Sequence, residues 1–419
     1  MTSGKKPARS STRESNGLRI AMVSEHASPL AALGGVDAGG QNVHVAELSA
    51  ALARRGHEVL VYTRRDSTEL PERVQTRDGY TVVHVPAGPA ESLPKDELLV
   101  HMPEFGRFLA RQWSDEPPDL AHAHFWMSGI ATLQAARQCD ISAVQTFHAL
   151  GVVKRRHQGM RDTSPPARLK LERSVAQTAD WVAATCTDEV FELVRLGRPR
   201  SRISVIPCGV DMNRFRPDGA RAERSDRRRI VAVGRLVPRK GFDILIRAMT
   251  AVRDAELLIV GGPNASELPA DSEARRLSAL AAELGVSQQV RLCGSVSRTE
   301  MPPLLRSADV VACTPWYEPF GIVPVEAMAC GVPVVATAVG GMLDTVVDGM
   351  TGVLVPPKDP RACANALNSM LADPERLAEF GLAGRRRAQS RYSWERIAAD
   401  TAKMYQRVLP ASRLAVAHG

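Results

Sequence analysis

The sequence predicts an α/β protein, two doubly wound Rossmann-like domains facing across a cleft. Three observations carry the doubly wound part. Short β-branched runs alternate with helical patterns almost throughout, which implies parallel strands covered by helices on both faces. The alternation breaks once, over residues 213–229, which are rich in Arg, Asp, Gly and Pro and lack periodicity. The chain is also 419 residues long, more than one hydrophobic core usually holds.

In chain order the first half offers strands at 18–24, 58–64, 80–86, 119–124, 142–147, 181–186 and 203–207. Between the first two lies a helix over 41–55, with Val43, Ala46, Leu48 and Leu52 at helical spacing before Gly56 stops it. After the break, strands are expected at 230–233, 256–260, 289–293, 309–313 and 332–336, each followed by a helix. The division that follows is a basic disordered tail (1–17), a first Rossmann-like domain (18–212), a linker (213–229) and a second Rossmann-like domain (230–392). A last helix (393–410) packs back across the junction. Ligands of such sheets sit at the carboxyl ends of the strands, so two facing sheets make one cleft.

Composition narrows the function. With 44% hydrophobic and 24% charged residues the chain is an ordinary globular protein. No apolar run is long enough to span a bilayer, and the first 17 residues hold no secretory apolar segment. The seven Cys form no CxxC pair, which fits reduced thiols in a cytoplasmic protein better than metal ligation. The net charge of +8 invites nucleic acid, but only 5% of residues are aromatic and no stacking platform alternates with the basic ones. An anionic small substrate explains the sign as well. No nucleic-acid partner is expected, and a homodimer is left open.

Four stretches carry chemistry. From Trp316 to Gly331, Glu318 and Glu326 stand eight apart around a Pro-Phe-Gly turn that feeds a helix with Pro324 in its first turn. The amides of Phe320, Gly321 and Ile322 then point into the cleft at a helix N-terminus, a place for diphosphate or sugar hydroxyls. In the stretch from Gly234 to Gly241, Arg235 and Lys240 flank a turn at a strand's carboxyl end, where two cations neutralise a leaving diphosphate. The stretch from Gly34 to Gly40 brings four glycines before a helix, so that backbone at Gly39 and Gly40 approaches a ligand closely. His122 and His124 share one face of a strand and read as hydrogen-bonded structure, whereas His148 ends the next strand and faces the cleft. Further zinc ligands at metal spacing are missing, and no Asp-x-Asp pair occurs, so neither metal nor cofactor is expected.

Glu318 and Glu326 around Pro-Phe-Gly, Gly234-Arg235 with Lys240-Gly241, and the Gly39-Gly40 loop together resemble the retaining glycosyltransferases of family GT4, which have the GT-B fold. The resemblance covers residues 18–408 and is strongest to the branch of inositol-phosphate N-acetylglucosaminyltransferases and sucrose-phosphate synthases. It implies transfer of a hexose or N-acetylhexosamine from a nucleotide sugar, with UDP favoured over ADP, to a small hydroxylated acceptor. That acceptor is a sugar or cyclitol phosphate, the alternative being an unphosphorylated natural product or lipid. Arg235 and Lys240 would hold the diphosphate, Glu318 and the amides of Phe320–Ile322 the donor sugar, Glu326 the ribose, and Arg298 the uracil by stacking. His148 would stand beside the donor sugar, and Lys95 and Arg168 would grip the acceptor phosphate. The sequence departs from the branch at Phe125 and Ala149, where it has a Tyr and a Thr on that phosphate; Lys154, Arg155 and Arg156 would replace the lost contacts.

Overall fold

The computed structural model describes residues 17–31 and 39–409. Residues 1–16 of the basic tail, 34–38 of the glycine stretch and residue 410 lie outside the described residues. Eight strands form the first sheet: β1 (Arg19–Val23), β2 (Glu58–Arg64), β3 (Arg73–Gln75), β4 (Thr81–Val85), β5 (Leu120–His124), β6 (Ser142–Thr146), β7 (Trp181–Ala184) and β8 (Ile203–Val205), in the order 3-4-2-1-5-6-7-8. Six form the second: β9 (Arg228–Val233), β10 (Ala255–Val260), β11 (Val290–Gly294), β12 (Val310–Cys313), β13 (Val334–Thr337) and β14 (Gly352–Val355), in the order 11-10-9-12-13-14. Both orders reverse direction beside the first strand of the sheet, and there a doubly wound sheet opens its ligand crevice.

Two strands were missed in the sequence. β3 pairs antiparallel to β4 at the sheet edge and reads Arg-Val-Gln, too polar and short to register. β14 is four residues of which two are half-buried, following a turn at Gly349. β9 opens at Arg228, within the stretch 213–229, because Arg228 and Arg229 join the ladder beside Ala255 and Glu256. The helix Gly40–Arg54 buries Val45, Leu48 and Leu52, while Val43 and Ala46 are only half-buried, so its apolar face is rotated from the expected one.

One apolar cluster is continuous through both sheets. It runs from Ile20, Met22 and Leu48 through Val210 and Phe215 to Phe320, Val325 and the final helix Trp394–Val408. That helix leaves the second sheet and packs on Gly40–Arg54 of the first. Its Tyr405 hydroxyl lies 2.7 Å from His122 Nδ1. All seven cysteines are free, five of them buried. Among the described residues no helix is long and apolar enough to cross a membrane.

Candidate active site

The carboxyl ends of β5 and β6 from the first sheet and of β9 and β12 from the second open onto one cavity of about 360 Å³. Two helix N-termini meet there. Gly40 begins one helix and Ile322 begins the other, Ile322–Ala329. A Cβ on Gly40 would stand 3.1 Å from the Ile322 side chain, so glycine lets these ends approach. The first amides of each helix have no intrahelical acceptor and carry the positive end of its dipole. Asn42 Oδ1 takes the amide of Gly39 at 3.0 Å and fixes the entry to the first helix.

The cationic loop and the Glu318 loop lock together through backbone. Trp316 N–H donates to Arg239 O at 2.8 Å, and Thr314 Oγ1 donates to Gly241 O at 2.9 Å. Gly241 has φ +68°, and a Cβ there would fall 2.0 Å from Thr314 O, so no other residue fits without moving the loop. The result puts Lys240 Nζ 2.5 Å and Arg239 Nη1 3.6 Å from Glu318 Oε2. Burial works against charge on Glu318, but Lys240 and then Arg239 outweigh it and hold the carboxyl below its usual range. Glu318 is the one carboxylate lining the cavity among the described residues.

Opposite stand the histidines. His148 (φ +59°) and Phe125 (φ +80°) both have left-handed backbone immediately after β6 and β5, a strain that adjacent strand ends share at the ligand face. His148 Nε2 lies 3.0 Å from His124 Nδ1, and the His44 ring stands edge-on to His148 at 5.0 Å. Burial pushes His44 down to about 4 and His122 to about 3, and holds His124 and His148 well below the usual range. The cluster is therefore neutral near pH 7. His122 is satisfied by Tyr405 and by Thr146 Oγ1 at 2.9 Å, as hydrogen-bonded structure should be. His124 is not purely structural, because it positions His148. His44, His124 and His148 offer nitrogens within 4.8 Å of one another, a grouping able to hold a metal ion that β-strand spacing alone could not reveal.

Most expected residues converge on this cavity: Gly39, Gly40, Lys95, Phe125, His148, Arg235, Lys240, Glu318, Phe320, Gly321 and Ile322 all line it. Four do not. Arg298 pairs across the cleft, Nη2 to Glu47 Oε1 at 2.9 Å. Glu326 is set back behind the helix start, where burial raises it to about 7 against Arg298 and Arg214. Arg168 is 4% exposed and is spent on Glu172 at 2.8 Å. Lys154 is tied to Asp162 at 2.9 Å and Ser164 Oγ at 2.8 Å. Missed in the sequence were His44, brought in by the first turn of its helix, and Arg239, which stood unassigned beside Lys240.

Residues 38–214 match the family described as Glycosyltransferase Family 4, and residues 216–387 match Glycosyl transferases group 1. Over 93% of its length the chain is 38% identical to a D-inositol 3-phosphate glycosyltransferase 2 of Catenulispora acidiphila, covering 95% of that protein. The chain belongs to glycosyltransferase family 4. A D-inositol 3-phosphate glycosyltransferase of Xylanimonas cellulosilytica is 39% identical over 93% of this chain and 96% of the relative. The sucrose-phosphate synthase of Thermosynechococcus elongatus superposes with a TM-score of 0.85 at 34% identity, covering 93% of this chain and 98% of that one. This glycosyltransferase therefore has the GT-B fold, and its two facing sheets are the two Rossmann-like halves of that architecture.

Proposed function

We propose that this glycosyltransferase moves a hexose or N-acetylhexosamine from a UDP-sugar to a small hydroxylated acceptor with retention of configuration. One observation carries the reading: Arg235, Lys240 and the N-terminus of Ile322–Ala329 meet beside an ionised Glu318 in a single cavity. Cations and helix amides suit a diphosphate, and a buried carboxylate suits sugar hydroxyls.

Breaking the bond from the anomeric carbon to phosphate oxygen puts negative charge on the diphosphate and positive charge on the sugar ring. Lys240, Arg235 and the Phe320–Ile322 amides stabilise the first without reorganising. Glu318 holds the sugar hydroxyls, and neutral His148 hydrogen-bonds the sugar from the opposite wall. A double-displacement route needs a carboxylate free to attack the anomeric carbon. Glu318, the one carboxylate among the described lining residues, is held by Lys240 and Arg239, which supports same-face attack. The acceptor oxygen then forms its bond to the anomeric carbon as the phosphate leaves, and the acceptor's proton passes to a leaving phosphate oxygen. The charge is carried by arginine and lysine, so the reaction needs no metal or cofactor. The free thiols support a reducing, cytoplasmic setting.

The test is mass spectrometry of the protein with UDP-glucose, UDP-N-acetylglucosamine and ADP-glucose against sugar phosphates, cyclitol phosphates and unphosphorylated glycosides. The reading expects a glycosylated product with release of UDP. Release of ADP in preference, or of neither nucleotide, contradicts it.

A further inference from the structure

A second cavity, of about 260 Å³, adjoins the first and shares Ala149, Glu318 and Pro319 with it. Its walls come from both halves of the molecule. Leu150 and Val153 stand on the side of the first sheet, and Tyr317, Val339 and Leu343 on the side of the second. His157 stacks on Tyr317 at 4.8 Å, and Gln158 Nε2 donates to the Tyr317 hydroxyl at 3.2 Å, so the two sides are held together over this space.

The walls also carry the charged Arg156, Asp188 and Glu318, and two further polar groups are unspent. Glu189 is 7% exposed; its Oε2 takes the amide and the hydroxyl of Thr185 at 2.7 and 2.6 Å, but its buried Oε1 has no hydrogen-bond partner. The indole Nε1 of Trp316 is likewise buried without a partner. Unsatisfied buried polar atoms are uncommon, and in a ligand pocket a few of them on apolar walls set orientation.

Of the cations expected to hold an acceptor phosphate, Lys95 lines the main cavity, whereas three others are committed elsewhere. Arg168 gives Nε to Glu172, Nη1 to Ser164 Oγ and Nη2 to Ala149 O. Lys154 is paired with Asp162, and Arg156 gives both terminal nitrogens to Glu192 at 2.9 Å. Ala149, at the seam between the cavities, offers no hydroxyl.

We propose that this second cavity is an acceptor subsite for an aromatic or alicyclic ring system bearing a polar substituent, with the reacting hydroxyl of the same acceptor held in the main cleft. The inference rests on the transferase reading. It names the acceptor class as a hydroxylated ring compound with an apolar end, such as a glycoside with a ring aglycone, rather than a bare sugar phosphate. Phe125, which carries no hydroxyl, lines the main cavity with Lys95 Nζ 5.5 Å and the Arg168 guanidinium 5.3 Å from its ring centre.

Calorimetry on the UDP-loaded protein tests it, with p-nitrophenyl β-D-glucopyranoside, methyl β-D-glucopyranoside and D-glucose 6-phosphate as probes. The aryl glycoside is expected to bind at least tenfold tighter than the other two. Val153→Trp, which fills the subsite, should abolish that advantage and leave UDP affinity and melting temperature unchanged. If Val153→Trp fails to fold, Leu343→Ala on the half-exposed wall should lower the aryl advantage several-fold. Equal binding of the two glycosides, tighter binding of the phosphate, or an aryl advantage that survives in the variants overturns the proposal while UDP binding stands. Failure of UDP itself to bind overturns the transferase reading and this one with it.

Discussion

Lys240 and Glu318 hold each other at 2.5 Å in the cavity where the proposed reaction joins diphosphate and sugar, so both are positioned before substrate arrives. Preorganised charge of this kind is what lowers a barrier on which charge develops. Removing one such donor costs about 2.7–4 kcal/mol in the chemical step, roughly a hundred- to thousandfold. Lys240→Ala should therefore show that loss in single-turnover kinetics, and a loss under tenfold would remove Lys240 from the leaving-group site. The buried histidines make a second prediction. Burial holds His44 down to about 4, so between its unfolded value and pH 4 the unfolded chain takes up a proton that the folded chain refuses. Stability from this group is present above about pH 6.5 and is lost as pH falls toward 4. Relative to the wild type, His44→Gln should flatten the decline by about 2 kcal/mol between pH 6.5 and 5, read from denaturant unfolding. Parallel curves for the two proteins would mean that His44 is not desolvated.

At the scale of the element, the site depends on loops that no single propensity specifies. Gly241→Ala would drive a Cβ to 2.0 Å from Thr314 O at a positive φ, which should cost about 1–3 kcal/mol and misplace Lys240. Gly285→Ala has φ +70° but nothing within 4 Å, so it isolates the strain from the clash. Equal losses of stability and activity in the two variants would show that the contact with Thr314 does not matter. The strands that carry the site were legible because each is a run of buried, mostly β-branched or small residues ended by a turn. β3 and β14 were not, since a polar edge strand and a half-buried four-residue strand lack that pattern. Glu318, Lys240 and the Phe320–Ile322 turn were legible for another reason. They lie within short contiguous stretches whose residue types suit an anion or hydroxyl ligand. The pairing of Arg298 with Glu47 joins residues 251 positions apart, and the burial of Arg168 against Glu172 depends on what packs around that helix. Side-chain spacing could not place the first; it allows the second as an i,i+4 pair, and only the burial of that pair was hidden.

Across the whole molecule, the main cavity is lined from both sheets, and polar contacts tie the halves: Arg298 to Glu47, Gln158 to Tyr317, and Thr187 N–H to Asp344 Oδ2 at 2.5 Å. Substrate entry has to break and remake such contacts, so closure should gate turnover. Steady-state kcat should fall as sucrose or glycerol raises solvent viscosity, whereas in the slowed Lys240→Ala variant it should not. Viscosity independence in the wild type would place the slow step in the chemistry instead. The two-sheet architecture was legible from alternation and one unperiodic break, because secondary-structure period is local. The continuous core through Val210, Phe215 and Tyr405 was not, because it forms only when the last helix returns to the first sheet. The central claim is sugar transfer from a nucleotide donor with retention, driven by the Lys240, Arg235 and Glu318 cavity. Real-time proton NMR of the protein with UDP-α-glucose and its best acceptor tests it most directly. The account predicts that UDP and an α-configured product appear together from the first spectra; a β-configured first product, or intact donor throughout, would contradict it.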